Sequence, residues 1–343
     1  MKTLKKYNIA IIGASGYTAS ELIRLIHNHP NITIKYLVGN SQVNIPIDEV
    51  YSYLKFKELP IITHLDKVNF SEIDIVFCCL PHGETNKIIS KIPKHIKIID
   101  LSSDYRIINN DIYKEFYNIN RNQKYLKEAT YGLSEINQEA IKNHRIIACP
   151  GCFPTAILLP LIPLVKNSLI SKEKLIIDAK TGISGAGRKA IQQSLFCEIN
   201  ENIIPYHVQK HRHLAEIFEQ LDITMTNIQF TPQIIPTSRG IMAVIYAESN
   251  QNINNIKDYL TKYYQHNIFV KINQNDTLPV LRNVISTNIC EISIMQSNIP
   301  NQIIIFSIID NLTKGSSGQA IQNFNLINDL PEDTGLQNLS VYP

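Results

Sequence analysis

The sequence predicts an α/β chain of two domains: a doubly wound parallel sheet over residues 1–150, then an α+β unit over residues 151–311. A C-terminal helix, about 312–343, is expected to pack back on the first domain. Three observations carry this reading. A length of 343 residues suits two cores. The N-terminal stretch alternates β-rich run, glycine loop, helical run and β-rich run. After Gly151 the strand-like runs lengthen and the helices between them thin out.

Residues 7–12 (YNIAII) read as a strand, closed by the loop Gly13–Ala19. Beyond the loop, Leu22, Ile23, Leu25 and Ile26 fall at helical spacing, and residues 32–39 (ITIKYLVG) complete a β-α-β unit. IDIVFCCL (73–80) and IKIIDLS (96–102) read as further strands, with ETNKIISKI a short helix between them. Strands alternating with helices imply a parallel sheet covered on both faces. Past Gly151 a helix runs to Ser168. Strand runs follow at 174–180, 229–236, 240–248, 267–272 and 301–309, as expected of a mostly antiparallel sheet. KGSSGQAIQNFNLINDL reads as the last helix.

Composition narrows the class. With 44% hydrophobic and 18% charged residues the chain is neither wholly disordered nor fibrous. A net charge of +3 makes no electrostatic case for nucleic acid or an acidic membrane. The longest apolar stretch, AILLPLIPLV (156–165), falls well short of the roughly 20 residues that span a bilayer and holds two prolines. The N-terminal lysines resemble a signal peptide, but the apolar run behind them is too short. Six cysteines are too few for a disulfide scaffold of this length, so a cytoplasmic location is expected. The Asn, Ile and Lys crowding in INQNDTLPVLRNVISTN reads as compositional drift.

Gly13-Ala14-Ser15-Gly16-Tyr17-Thr18-Ala19 sits between strand and helix, where a dinucleotide pyrophosphate would meet a helix N-terminus. Gly13 allows the turn, Gly16 lets phosphates approach the backbone, and Ala19 serves helix–sheet packing. The second strand ends in Val38-Gly39-Asn40-Ser41, with no acid to hold a ribose 2′-hydroxyl or repel a 2′-phosphate. NADP is therefore expected over NAD, with Ser41 able to bond the extra phosphate.

Ala148-Cys149-Pro150-Gly151-Cys152-Phe153-Pro154 precedes the apolar helix. Pro154 suits a first helical turn, so Cys152 should lie at the helix N-terminus, where the dipole favours a thiolate. A nucleophile is expected there. Cys149 and Cys152 also form a C-x-x-C pair, which would suit a dithiol redox site, but such pairs usually sit near the start of a βαβ chain. No second cluster completes a zinc site, so no metal is expected.

Tyr206–His213 (YHVQKHRH) holds three of the ten histidines around one arginine. A catalytic imidazole is the preferred reading over a basic solvated turn. Ser184-Gly185-Ala186-Gly187-Arg188 is a second glycine loop suited to an anionic group. Arg106 and Arg239 stand beside turn residues, and arginine forks suit carboxylate or phosphate.

Taken together, GASGYTASELIRLI, LPHG (80–83), DLSSDYR, YGLSE, PGCFPTA, SGAGR, HRH and DNLTKGSSGQAIQN resemble the N-acetyl-gamma-glutamyl-phosphate reductase family, in order from Gly13 to Asn323. PGCFPTA and HRH are specific, whereas the glycine loop is shared widely. The resemblance implies a Rossmann-type domain joined to an α+β substrate and dimerisation domain of the aspartate-semialdehyde-dehydrogenase type. It implies NADP(H), a homo-oligomer, and a catalytic cysteine falling on Cys152. In that scheme the thiolate attacks an acyl phosphate, phosphate leaves, and the thioester is reduced to an aldehyde. His211 is then the choice for proton transfer, with His213 as alternative or substrate contact. Arg106, Arg188 and Arg239 would meet substrate anions. Gly13, Ser15, Gly16, Tyr17, Thr18, Ser41, Pro81, Ser184, Gly185, Asn311 and Asn323 would border the cofactor. The chain departs from the family where Cys149 replaces a common Asn, Ala19 a usual Gly, and Leu214-Ala215 a segment that commonly holds proline. Three rival readings stand beside this one. They are an aspartate-semialdehyde dehydrogenase, a relative acting on the aminoadipyl homologue or a carrier-linked chain, and an NADP sensor with a Cys149/Cys152 redox switch. HRH and DLSSDYR weigh against the first, and the intact Cys152 and His211 against the last.

Overall fold

A computed structural model describes residues 5–55 and 57–341. The first lysine of the N-terminal run and the last two residues of the C-terminal segment lie outside the described residues. Two compact units emerge: Met1–Asn110, Asn118–Cys149 and Ser317–Leu336 in one, and Asp111–Tyr117, Pro150–Ser316 and Gln337–Pro343 in the other.

The first unit runs β1 (Tyr7–Ile12), α1 (Tyr17–Ile26), β2 (Ile32–Val38), α2 (Ile47–Val50), β3 (Ile62–Thr63), β4 (Ile75–Cys78), α3 (Glu84–Ile88) and β5 (Lys97–Asp100). After α4 (Asn110–Tyr117), most of which counts with the second unit, come β6 (Ala129–Tyr131), α5 (Gln138–Asn143) and β7 (Ile146–Ala148). The sheet order is β3-β2-β1-β4-β5-β7-β6, every described pairing parallel. β4 and β7 are buried at every position, which is why they read as unbroken apolar runs rather than alternating ones. The winding direction reverses between β1 and β4, and the carboxyl ends of strands at such a reversal are where open α/β sheets bind ligands. The expected last helix is present as α10 (Gly318–Ile327), preceded by a π-helical turn at Thr313–Ser317. It packs against α1 and α5, with Phe324 edge-on to Tyr7 at 5.5 Å and stacked on Phe77 at 6.2 Å.

The second unit opens with α6 (Cys152–Lys166) and β8 (Leu175–Gly182), then α7 (Phe196–Ile199), β9 (Ile204–Pro205), α8 (His213–Leu221), β10 (Ile228–Ile235) and β11 (Ile241–Glu248). It closes with α9 (Ile253–Tyr263), β12 (Val270–Ile272), β13 (Cys290–Gln296) and β14 (Gln302–Ile309). Its sheet, β12-β13-β14-β11-β8-β10-β9, is mixed: β8 pairs parallel with β10 and β12 with β13, and the other pairings are antiparallel. The apolar α6 packs on β11, β14, α8 and α9. Pro160 and Pro163 sit inside it. Proline has no N–H, so Pro163 leaves the Leu159 carbonyl without its donor four residues on. The buried Tyr264 hydroxyl donates to that carbonyl at 2.5 Å instead. Among the described residues no helix is long and apolar enough to cross a membrane.

Candidate active site

Cys152 is the first residue of α6, with Gly151 as its extended N-cap. The Gly151 N–H donates to Glu216 Oε2 at 2.9 Å. Its carbonyl accepts from the Thr155 N–H at 3.0 Å and the Thr155 hydroxyl at 3.1 Å. The peptide ahead of the sulfur is therefore held on both sides. Only glycine fits at 151, since a Cβ there would come within 2.5 Å of His213 Nε2. The half-buried Cys152 thus meets the positive end of a largely apolar helix.

His211 and His213 enter from the start of α8. The His213 N–H, one of the helix's open first-turn donors, gives a hydrogen bond to His211 Nδ1 at 3.1 Å. With Nδ1 accepting, a neutral His211 carries its proton on Nε2 and presents a donor. The ring lies edge-on to Phe153, Tyr206 and Phe230 at centroid distances of 5.4, 5.3 and 5.8 Å. Burial, then the charges of Arg212 and His207, push its pKa down to about 3. Tyr206 is held protonated, chiefly by burial and then by the nearby Cys152 sulfur. Glu216 is fully buried one turn along α8 from His213.

Cys152, Tyr206 and both histidines share a cavity of about 380 Å³ that is lined also by Phe116, Phe153, Thr181, Gly182, Gly185, Ala186, Ile191, Gln193, His207, Lys210, Arg212 and Ile234. Cys152, His211, His213 and Gly185 are thus brought together, with Ser184 beside Gly185. Sequence reasoning missed Glu216, Tyr206, Lys210 and Arg212. The last three lay inside YHVQKHRH, and the acid of HRHLAE, three residues past His213, was a readable signal for Glu216.

The arginines are placed differently. Arg188 is exposed and does not line this cavity. Arg239 bridges the buried Asp310 at 3.3 Å. Arg106, in the first unit, is 6% exposed and donates to the Leu101 carbonyl at 2.9 Å. Asn311 accepts from the Gly240 N–H at 2.7 Å and donates to Ser184 Oγ at 2.9 Å, bordering the Ser184–Gly185 loop. Asn323 belongs to the first unit, where its amide accepts from Ser134 and donates to the Gly132 carbonyl and, at 3.6 Å, the Cys149 sulfur. Cys149 is 1% exposed, and burial pushes its thiol up to about 12.

In the first unit the glycine loop closes β1. Gly13 has φ +89°, and a Cβ there would lie 2.4 Å from the Cys79 carbonyl oxygen, so the β1 and β4 ends meet backbone to backbone. Gly16 caps α1, and the nearest atom to a Cβ there is 4.0 Å away, leaving its backbone open. Ser15 and Thr18 are half-buried at this helix start, and Tyr17 is exposed. The first turn of α1 holds no acid, so its N–H groups suit an anionic pyrophosphate. Ser41 and Pro81 are exposed on the loops that follow β2 and β4, along the same carboxyl edge.

A nucleotide-type parallel sheet followed by a mixed-sheet unit whose first helix opens on a cysteine is the plan of a dehydrogenase of the semialdehyde type. Residues 8–144 match the family model for the semialdehyde dehydrogenase NAD binding domain, and residues 152–311 that for the semialdehyde dehydrogenase dimerisation domain. The fold is shared with aspartate semialdehyde dehydrogenase II from Vibrio cholerae, at TM-score 0.72 and 15% identity over 95% of this chain and 99% of that one. A probable chloroplastic N-acetyl-gamma-glutamyl-phosphate reductase of Oryza sativa is 40% identical over 100% of this chain and 84% of its own. N-acetyl-gamma-glutamyl-phosphate reductase of Vesicomyosocius okutanii is 43% identical over 98% of this chain and 99% of its own. The chain belongs to the N-acetyl-gamma-glutamyl-phosphate reductase family and is an oxidoreductase with a nicotinamide-dinucleotide domain.

Proposed function

We propose that the chain reduces N-acetyl-L-glutamyl 5-phosphate to N-acetyl-L-glutamate 5-semialdehyde and phosphate, a step of arginine biosynthesis. The observation that carries this reading is Cys152, at a helix N-terminus, sharing one cavity with His211 in a chain of this family. Cys152 is the nucleophile: its sulfur bonds to the acyl carbon, the C–O bond to phosphate breaks, and a thioester remains. NADPH supplies the hydride when bound. His211, neutral and with its proton on Nε2, donates a hydrogen bond to the oxygen that gains negative charge; as that oxyanion re-forms the carbonyl, the C–S bond breaks and the sulfur leaves as the thiolate. Tyr206 adds a second neutral donor. His213 holds the Gly151 turn and borders the substrate. Arg106, Arg188 and Arg239 are assigned to substrate anions, with Arg239 tuned by Asp310. Run backwards, the enzyme is expected to reduce NADP with N-acetylglutamate semialdehyde only when phosphate or arsenate is present. Faster turnover with aspartate semialdehyde in the same panel would move the assignment to the rival enzyme.

The cofactor is assigned to the carboxyl edge of the first sheet, at Gly13, Ser15, Gly16, Tyr17, Thr18, Ser41 and Pro81, with Ser184, Gly185, Asn311 and Asn323 assigned to its nicotinamide end. We read the choice as NADPH, because no carboxylate stands at Gly39–Ser41. Ser41→Asp is expected to cost NADPH about 1–3 kcal/mol through like-charge repulsion while sparing NADH. Equal kcat/KM for both cofactors in the unmodified enzyme would refute the preference. We take residues 1–150 with the C-terminal helix as the cofactor domain and 151–311 as the catalytic domain. A homo-oligomer, dimer or tetramer, is supported by the dimerisation-domain match. A cytoplasmic location fits a catalytic thiol that works only when reduced.

A further inference from the structure

The Cys152 cavity is lined by two permanent cations, Lys210 and Arg212, and by no Asp or Glu. They flank His211 in sequence, one on each side. Both are exposed, and neither has an ion pair or side-chain hydrogen bond among the described residues. Other arginines differ: Arg239 is paired to Asp310, Arg121 donates to the carbonyls of Asp104 and Ile108, and Arg145 is paired to Glu128. The charge of Arg212 is felt at both the His211 ring and the Tyr206 phenol, so it stands close to the reacting groups. A cavity with unpaired cations and no anion of its own attracts an anionic guest and concentrates it near the sulfur.

We propose that Lys210 and Arg212 are substrate-binding residues that draw an oxyanion of the substrate, phosphate or carboxylate, to Cys152. The inference rests on the acyl-phosphate reading above and adds to the arginines assigned there two cations that line the Cys152 cavity itself. The two cations act at different points of the rim: Arg212 caps α8, while Lys210 sits on the turn closed by its N–H to the His207 carbonyl at 2.9 Å. A substrate with a charged group at each end can thus be held across His211.

The test compares alkylation of Cys152 by anionic iodoacetate and neutral iodoacetamide in the wild type, Lys210→Gln, Arg212→Gln and the double variant. Both reagents attack the same thiolate, so the ratio of their rates cancels changes in thiol ionisation and reads the local field. The ratio is expected to fall by about 3-fold in each single variant and about 10-fold in the double. High salt should bring the wild-type ratio down toward that of the double variant. An unchanged ratio in the double variant would overturn the proposal. In turnover the reverse reaction separates the two ligand sources. A raised KM for inorganic phosphate assigns the cations to the phosphoryl group, and a raised KM for the semialdehyde assigns them to its carboxylate. If neither KM moves, the proposal is overturned. The alkylation ratio needs no substrate. The acyl-phosphate reading fails separately, if wild-type enzyme reduces NADP with none of the semialdehydes.

Discussion

Mixed with acyl phosphate and no reductant, the enzyme is expected to release about one phosphate per active site in a burst, as the Cys152 thioester accumulates. Cys152→Ser should abolish the burst and lower turnover by on the order of 10⁴–10⁶-fold. A serine hydroxyl ionises far less readily than a thiol, and His211, with Nδ1 engaged by the His213 N–H, offers no basic nitrogen to compensate. Iodoacetamide should label Cys152 first, and bound acyl phosphate should slow it. Cys149→Ala should keep both burst and turnover, because that sulfur is buried in the first unit with its thiol pushed up to about 12. Loss of the burst and of turnover in Cys149→Ala would replace the acyl-enzyme by the dithiol redox reading.

His211→Asn is expected to lower kcat by about 10²–10⁴-fold with a modest change in KM, while His213→Asn should act mainly on KM. Exchanged phenotypes would exchange the roles. The pH profile gives a second readout. Burial and the neighbouring positive charges push His211 down to about 3, so it stays neutral through the working range. His211 therefore contributes no acid limb near pH 6–7, and the kcat/KM profile in that range should keep its shape in His211→Asn. Stability follows from the same shift. Below the ordinary histidine pKa of about 6.5, the unfolded chain takes up a proton that the folded ring refuses. Folding is thus weakened as pH falls from about 6.5 to about 3, by roughly 1.4 kcal/mol per unit, and no further below the folded value. Denaturant unfolding should show that slope in the wild type and a shallower one in His211→Asn.

Much of the first sheet was legible because its central strands are buried on both faces. YNIAII is β1 to the residue, and IDIVFCCL and IKIIDLS contain β4 and β5 with only the ends trimmed. Weaker strands escaped. β13 was passed over just after a stretch set aside as compositional drift, although it packs between β12 and β14, and β3 and β9 are two-residue edges with no pattern to find. α8 and α9 were missed because the reading tracked strand runs, although Leu214, Ile217, Phe218 and Leu221 have helical spacing.

By itself the sequence determined the two-part α/β plan, the dinucleotide loop and the cysteine at a helix start. These follow from short-range rules of apolar period, glycine position and helix capping, which act within a few residues. Only the tertiary structure decided which distant groups serve Cys152. Glu216 reaches back 65 residues to the Gly151 N–H, and the His213 ring occupies the space that a side chain at 151 would need. Asp310 claims Arg239 from 71 residues away, and the open cations of the cavity are Lys210 and Arg212. A charge looks the same in any sequence. Whether it is neutralised or left for a ligand depends on what folding brings within a few ångströms.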